Sequence, residues 1–219
     1  MYDLSDVLDV DALSAVAPGT NILVSGPAMT GTEGLTQEIV ASGLRQEDGA
    51  VSVTTGGTAA ETVAALGERA PGAEPGRICA IDCRGDADER SEETEDGALL
   101  YHVGDPSDLT GMGIGITQGF DRLEDYGVDR VRLGLSSLST MLTYTNRQTV
   151  FKFCHVLSSR VDTAGYLGAF TIDSSAHDEQ TLQVVKQPFD GMIEVREREG
   201  TREARVLGVQ PDPSEWVPL

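Results

Sequence analysis

Lysine is nearly missing from this chain. Only Lys152 and Lys186 are lysines among 16 basic residues, and 36 carboxylates bring the formal charge to −20. Phosphate backbones and anionic bilayers need a basic face, so a general nucleic-acid or anionic-membrane binder is excluded. Cysteine is scarce as well. Cys79, Cys83 and Cys154 are odd in number, which implies no disulfide framework and points to a reducing cytoplasm. Cys79 and Cys83 have no histidine near them in sequence, so no shared metal is expected. No apolar run approaches the roughly 18 residues of a membrane span, and residues 1–11 are too polar for a signal peptide. Aromatics make up 5% of the chain, but hydrophobic residues make up 39%, which argues against a disordered chain.

The carboxylates are spread along the chain. Together with the missing lysine, this suggests a surface adapted to molar salt, where the Debye length is about 3 Å and like charges repel little. An acidic face for a partner is the alternative. The 219 residues fit one domain, with residues 1–20 as an N-terminal segment and residues 210–219 as a proline-rich tail.

Apolar runs at 21–25, 50–53, 77–82, 99–103, 130–135 and 166–172 read as strands. Helical periodicity falls between them, at 32–42 with Gly43 as its stop, 58–68, 108–125, 149–161 and 178–185. Residues 189–196 and 202–209 form a closing hairpin turned at Glu199 and Gly200. The seven carboxylates of 84–97 read as a solvated loop. Four glycines (Gly111, Gly113, Gly115 and Gly119) interrupt the 108–125 helix, and a closely approaching backbone would explain them. Strands separated by helices of this length imply an α/β fold, a central mostly parallel sheet flanked by helices, with an antiparallel C-terminal hairpin.

Between the first strand and the first helix runs SGPAMTGTE. A phosphate cradle needs G-x-x-x-x-G-K-[ST] in that context. Gly26 and Gly31 stand at the glycine positions, with Pro27, Ala28, Met29 and Thr30 between them. Thr32 takes the place of the lysine, and Glu33 that of the hydroxyl which holds Mg²⁺. The backbone N–H groups would still attract an anion. Glu33 opposes it: a like charge at 4 Å costs about 4 kcal/mol at an effective dielectric near 20.

With this loop, the chain resembles the RecA-like P-loop ATPases, and among them the KaiC-like group. The resemblance runs from about residue 17 to residue 209. It rests on APGTNILVSGPAMTG at the loop, DLTGMGIGI followed by VDRVRLGLSSLSTML, and PFDGMIEVRE near the end. Short KaiC-like proteins of halophilic archaea, some described as transducer-like signalling proteins, are similar to it. The resemblance implies a RecA-like fold with ATP or ADP as possible ligand. It also places the family's Mg²⁺-holding aspartate on Ser136 and its catalytic glutamates around Thr54 and Thr55. The lysine and arginine that act across a subunit boundary fall on Arg205 and Leu207, and His177 and Asp178 fall where the γ-phosphate is often sensed, although a solvent-exposed loop pair is the reading favoured for them.

Phosphoryl transfer needs the metal, cations on the phosphates and a group that positions water. All three are replaced, so no catalytic residues and no metal site are expected. Ser136, Ser137 and Ser139 have no histidine marked by sequence as a partner; His102 and Asp105 form a candidate hydrogen-bonded pair; His155 reads as partly buried. The leading expectation is a cytoplasmic regulatory or scaffolding protein that self-assembles or binds a protein partner. Residues 1–11 and 216–219 are exposed candidates to clip onto a neighbour, and the tail, which ends with Trp216, Val217 and Leu219, is expected to dock on the body or on a neighbour. The alternative is a nucleotide-binding ATPase or switch with an altered loop, and small-molecule sensing in the vestigial pocket stands third.

Overall fold

The computed structural model of the protein describes residues 1–84 and 90–219. Its strands are β1 (Asn21–Gly26), β2 (Gly49–Thr54), β3 (Ile78–Asp82), β4 (Arg90–Glu93), β5 (Leu99–His102), β6 (Val131–Ser136), β7 (Leu167–Asp173), β8 (Gly191–Arg198), β9 (Thr201–Leu207) and β10 (Val217–Pro218). The helices are α1 (Thr32–Arg45), α2 (Ala59–Arg69), α3 (Leu109–Asp125), α4 (Leu138–Tyr144), α5 (Arg147–Ala164) and α6 (Glu179–Val185). One sheet has the order β10-β9-β8-β1-β7-β6-β2-β3-β5-β4. Its centre, from β8 to β5, is parallel, and antiparallel pairs are confined to the two edges. This is the α/β architecture that the alternation of strands and helices implied.

Side-chain alternation along β6 sorts the two layers. Val131, Leu133 and Leu135 enter a core with Ile116 and Phe120 of α3, Leu157 of α5 and Phe170 of β7. Arg132 and Gly134 turn to the opposite face, where α1 lies. A Cβ on Gly134 would meet Val40 at 2.7 Å.

Arg132 is fully buried, and Asp48 is 2% exposed. The guanidinium donates to Asp48 Oδ2 (2.9 Å), the Ile39 carbonyl (3.0 Å), Ser42 Oγ (3.2 Å) and the Asp3 carbonyl (3.2 Å). Burial pushes the Asp48 carboxyl above its usual value and the Arg132 guanidinium below its own. Gly43 is therefore no helix stop. It lies within α1, which runs on to Arg45, and a Cβ there would strike Arg132 at 2.6 Å.

Neither terminus hangs free. Tyr2, Leu4, Leu8, Val10, Leu13 and Val16 are buried, and they pack with Ile193, Val195, Ala204 and Val206 on the inner face of β8 and β9. The Tyr2 hydroxyl donates to the Gly165 carbonyl at 3.0 Å. In the tail, Val217 pairs with Ala204, and the Trp216 ring lies under Arg196 at 3.7 Å. The expectation that these segments were exposed is corrected in part: most apolar residues of 1–11 are buried in their own fold and Trp216 and Val217 are half-buried against it, while Met1 and Leu219 stay exposed.

Three further expectations change. Within the acidic stretch 84–97, residues 90–93 form the edge strand β4 against β5, while residues 85–89 lie outside the described residues. Helix α4 was not read from sequence. It has seven residues, with only Leu138 and Met141 buried, and Ser137 caps it. The α3 glycines admit side chains rather than a backbone: a Cβ on Gly115 would meet the Tyr101 ring at 2.6 Å, and one on Gly119 would meet Val51 at 3.2 Å.

Breaking a buried ion pair strands a charge, at about 3–5 kcal/mol. Asp48→Ala is expected to lose about that much stability by chemical denaturation. A loss below 1 kcal/mol would show that Arg132 finds water or another partner.

Candidate functional site

The loop after β1 is built as a turn over a helix end. Thr30 Oγ1 donates to the Pro27 carbonyl at 2.7 Å, and Met29 (φ 64°) and Gly31 (φ 92°) take left-handed backbone. Gly31 caps α1 with no side-chain hydrogen bond, which leaves first-turn N–H groups facing outward. Thr32 is buried, Glu33 is exposed, and Met29 is 91% exposed.

A cavity of about 560 Å³ opens beside this loop, lined by Ala28 to Gly34 (Thr30 excepted), Ser137, Ser139, Thr140, Thr171, Asp173 and Arg202. Burial raises the Asp173 carboxyl, but hydrogen bonds from Ser175, Ala176 and Ala28 outweigh it and hold it below the usual range. Two carboxylates, Glu33 and Asp173, thus line the cavity with the guanidinium of Arg202.

Ser136 ends β6 beside Thr54 of β2. Its hydroxyl lies 3.5 Å from Thr171 Oγ1, which in turn lies 2.8 Å from Thr36 Oγ1. These neutral hydroxyls satisfy one another where the resemblance sets a metal-holding carboxylate. Thr54 Oγ1 accepts from Gly56 and Gly57, and Thr55 Oγ1 from Ser137 N. Both therefore hold backbone. The loop suits an anion in shape, but the neutral hydroxyls beneath it do not fit a Mg²⁺-nucleotide.

The cation at the loop is Arg202, not Arg205. Arg205 pairs with Glu194 at 2.7 Å and lies over Trp216. A Cβ on Gly31, by contrast, would meet Arg202 Nη1 at 3.2 Å, and Arg202 forms no ion pair among the described residues. Alternation explains the exchange. Arg202 shares its face of β9 with Ala204 and Val206, which pack toward the α1 side, while Arg205 points to the other face. That apolar alternation was the signal in the sequence.

Histidine placement differs too. His177 Nε2 lies 2.8 Å from Ser139 Oγ, which also accepts from Asp173 N at 2.9 Å, so a serine near β6 does have a histidine partner. His102 bonds to Asp82 (3.0 Å) and Glu92 (3.4 Å), while Asp105 accepts from Ser107 instead. His155 is exposed and stacked on Phe151. All three cysteines are buried, with burial pushing their thiols up to about 12. No helix among the described residues is long and apolar enough to cross a membrane.

The parallel sheet with a strand–loop–helix beside its central β1 defines a RecA-like α/β fold of the KaiC-like kind. A KaiC-like protein from the hyperthermophilic archaeon Pyrococcus horikoshii OT3 superposes with a TM-score of 0.66 at 11% identity, over 100% of this chain and 91% of that one. The chain belongs to the Family of unknown function DUF7504, whose family model matches residues 19–195. No curated protein matches its sequence.

If Thr32 and Glu33 are what exclude nucleotide, Thr32→Lys with Glu33→Ser adds a cation and removes an anion at the loop. Measurable ATP affinity is expected by calorimetry, a gain of several kcal/mol on the screened-charge estimate of about 4 kcal/mol per unit charge. A folded double variant that binds no better than wild type would show that something else closes the site.

Proposed function

We propose that this chain is a non-catalytic RecA-like domain that works by protein contact, as a regulatory or scaffolding component. The observation that carries the reading is the hydroxyl array Ser136–Thr171–Thr36, which stands where metal-dependent turnover would need a carboxylate. A surface that docks partners does not depend on that carboxylate, so the fold keeps its use without it. Self-assembly and a separate protein partner both fit.

A second reading, a nucleotide-binding switch, draws on Arg202 beside Gly31, a cation that offsets part of Glu33. Calorimetric titration with ATP and ADP plus Mg²⁺ in molar KCl separates the two. No micromolar binding is expected, and micromolar affinity would overturn the first reading.

The spread of carboxylates and the scarcity of lysine support a second part of this reading, a protein adapted to the salt-rich cytoplasm of a halophilic archaeon. Screening then holds the fold, and weaker screening loosens it. Cooperative melting is expected to disappear below about 0.5 M KCl. An unchanged melt at 50 mM would remove the halophilic assignment.

A further inference from the structure

Helices α3 and α5 lie on the same face of the sheet but pack on different strands, α3 on β2, β3 and β5, and α5 on β7 and β1. With strands about 4.8 Å apart, three strand spacings put the two helices roughly 14 Å apart. Helices in direct contact stand about 8–10 Å apart. The difference leaves a furrow over β6 with a cavity of about 370 Å³, its walls set by Leu109, Ile114 and Ile116 on one side and Phe153, Val156 and Leu157 on the other. Val156 is 69% exposed and Ile114 42%. Gly113 lines the furrow and faces open space, since a Cβ there would meet nothing within 4 Å.

Charge singles out the same place. From Arg130 to Val161 there is no aspartate or glutamate, in a chain that holds 36 of them. Lys152, Val156 and Arg160 recur at helical spacing on one face of α5. Arg160 donates to Thr117 across the furrow and lies over the Phe120 ring. Neither Lys152 nor Arg160 forms an ion pair among the described residues.

We infer that this furrow seats an acidic amphipathic helix of a partner protein. The inference rests on the reading that the chain acts through protein contact, and it names the partner's chemistry. Two helices roughly 14 Å apart can both touch a third seated above them at about 9 Å. Leucine-like residues would fill the cavity beside Gly113. Carboxylates two turns apart would meet Lys152 and Arg160, which are about 12 Å apart along α5. A second copy fits poorly. A two-fold contact would oppose the same bases, and the large hydrophobics exposed on the described helices, Ile114, Tyr144 and Val156, belong to α3, α4 and α5 themselves.

The test uses the full chain in 1 M KCl and a fluorescein-labelled 18-residue helical peptide of leucine, alanine and glutamate, with leucines at heptad spacing. Fluorescence anisotropy is expected to show saturable binding. Gly113→Leu, which fills the furrow from open space, is expected to weaken it at least tenfold with no drop in melting temperature. Lys152→Glu with Arg160→Glu is expected to do the same, and to favour a peptide with lysine in place of glutamate. No binding of the acidic peptide, or equal binding by both variants, overturns the proposal. So does self-association in sedimentation that Gly113→Leu abolishes, or decanoate binding in the furrow without peptide binding. A failed peptide titration leaves the non-catalytic reading standing. ATP hydrolysis by the chain would remove that reading and leave the furrow to its own test.

Discussion

One buried guanidinium organises half of this molecule. Arg132 leaves β6 on the α1 side, where an apolar residue would ordinarily stand, and it has to find acceptors inside the protein. It finds Asp48 in the turn before β2, two groups of α1, and the backbone of residue 3. Arg130, which also pairs with Asp48, lies over the Tyr2 ring at 4.7 Å. A hydrophobic replacement of similar volume could be as stable. What the charge adds is direction: Gly43 has to be a glycine, α1 has to pass at one height, and the N-terminal segment has to close over the pair.

The loop is held with comparable economy, but by neutral groups. Thr30 fixes the turn on Pro27, and Ser175 reaches Ala28 N at 3.3 Å from beyond β7. Thr36, Thr171 and Ser136 satisfy one another beneath it. Each of these bonds stays within the chain and needs neither metal nor phosphate to complete it. The turn and the parallel strands therefore hold the shape of the loop by bonds internal to the chain.

The sheet was readable from sequence because its strands are buried on both faces and appear as short apolar runs between helical periods, as in NILVSG for β1 and ICAID for β3. The hairpin was readable from Glu199 and Gly200, which both take positive φ. Elements without an apolar run escaped. β4 reads Arg-Ser-Glu-Glu, is wholly exposed, and is held by its pairing with β5 and by polar contacts of Glu92 with His102 and Glu93 with Arg122. Residues 1–11 looked polar because their carboxylates alternate with the apolar residues that anchor them. The site showed the same limit. The loop glycines and the serine at the end of β6 follow from local spacing, whereas Arg202 against Gly31 and His177 against Ser139 join residues far apart in sequence.

The position of Arg202 bears on how assembly and the loop relate. In the family that this chain resembles, cations near the end of the domain act on the site of a neighbouring subunit. Here the residue matched to that role, Arg205, is engaged by Glu194 and Trp216, and Leu207 carries no charge. The guanidinium that does reach a loop reaches the loop of its own chain, one strand beyond β8 and on the α1 side of the sheet. Within the protomer, Arg202 thus offsets one of the two carboxylates that line the loop's cavity, Glu33 and Asp173.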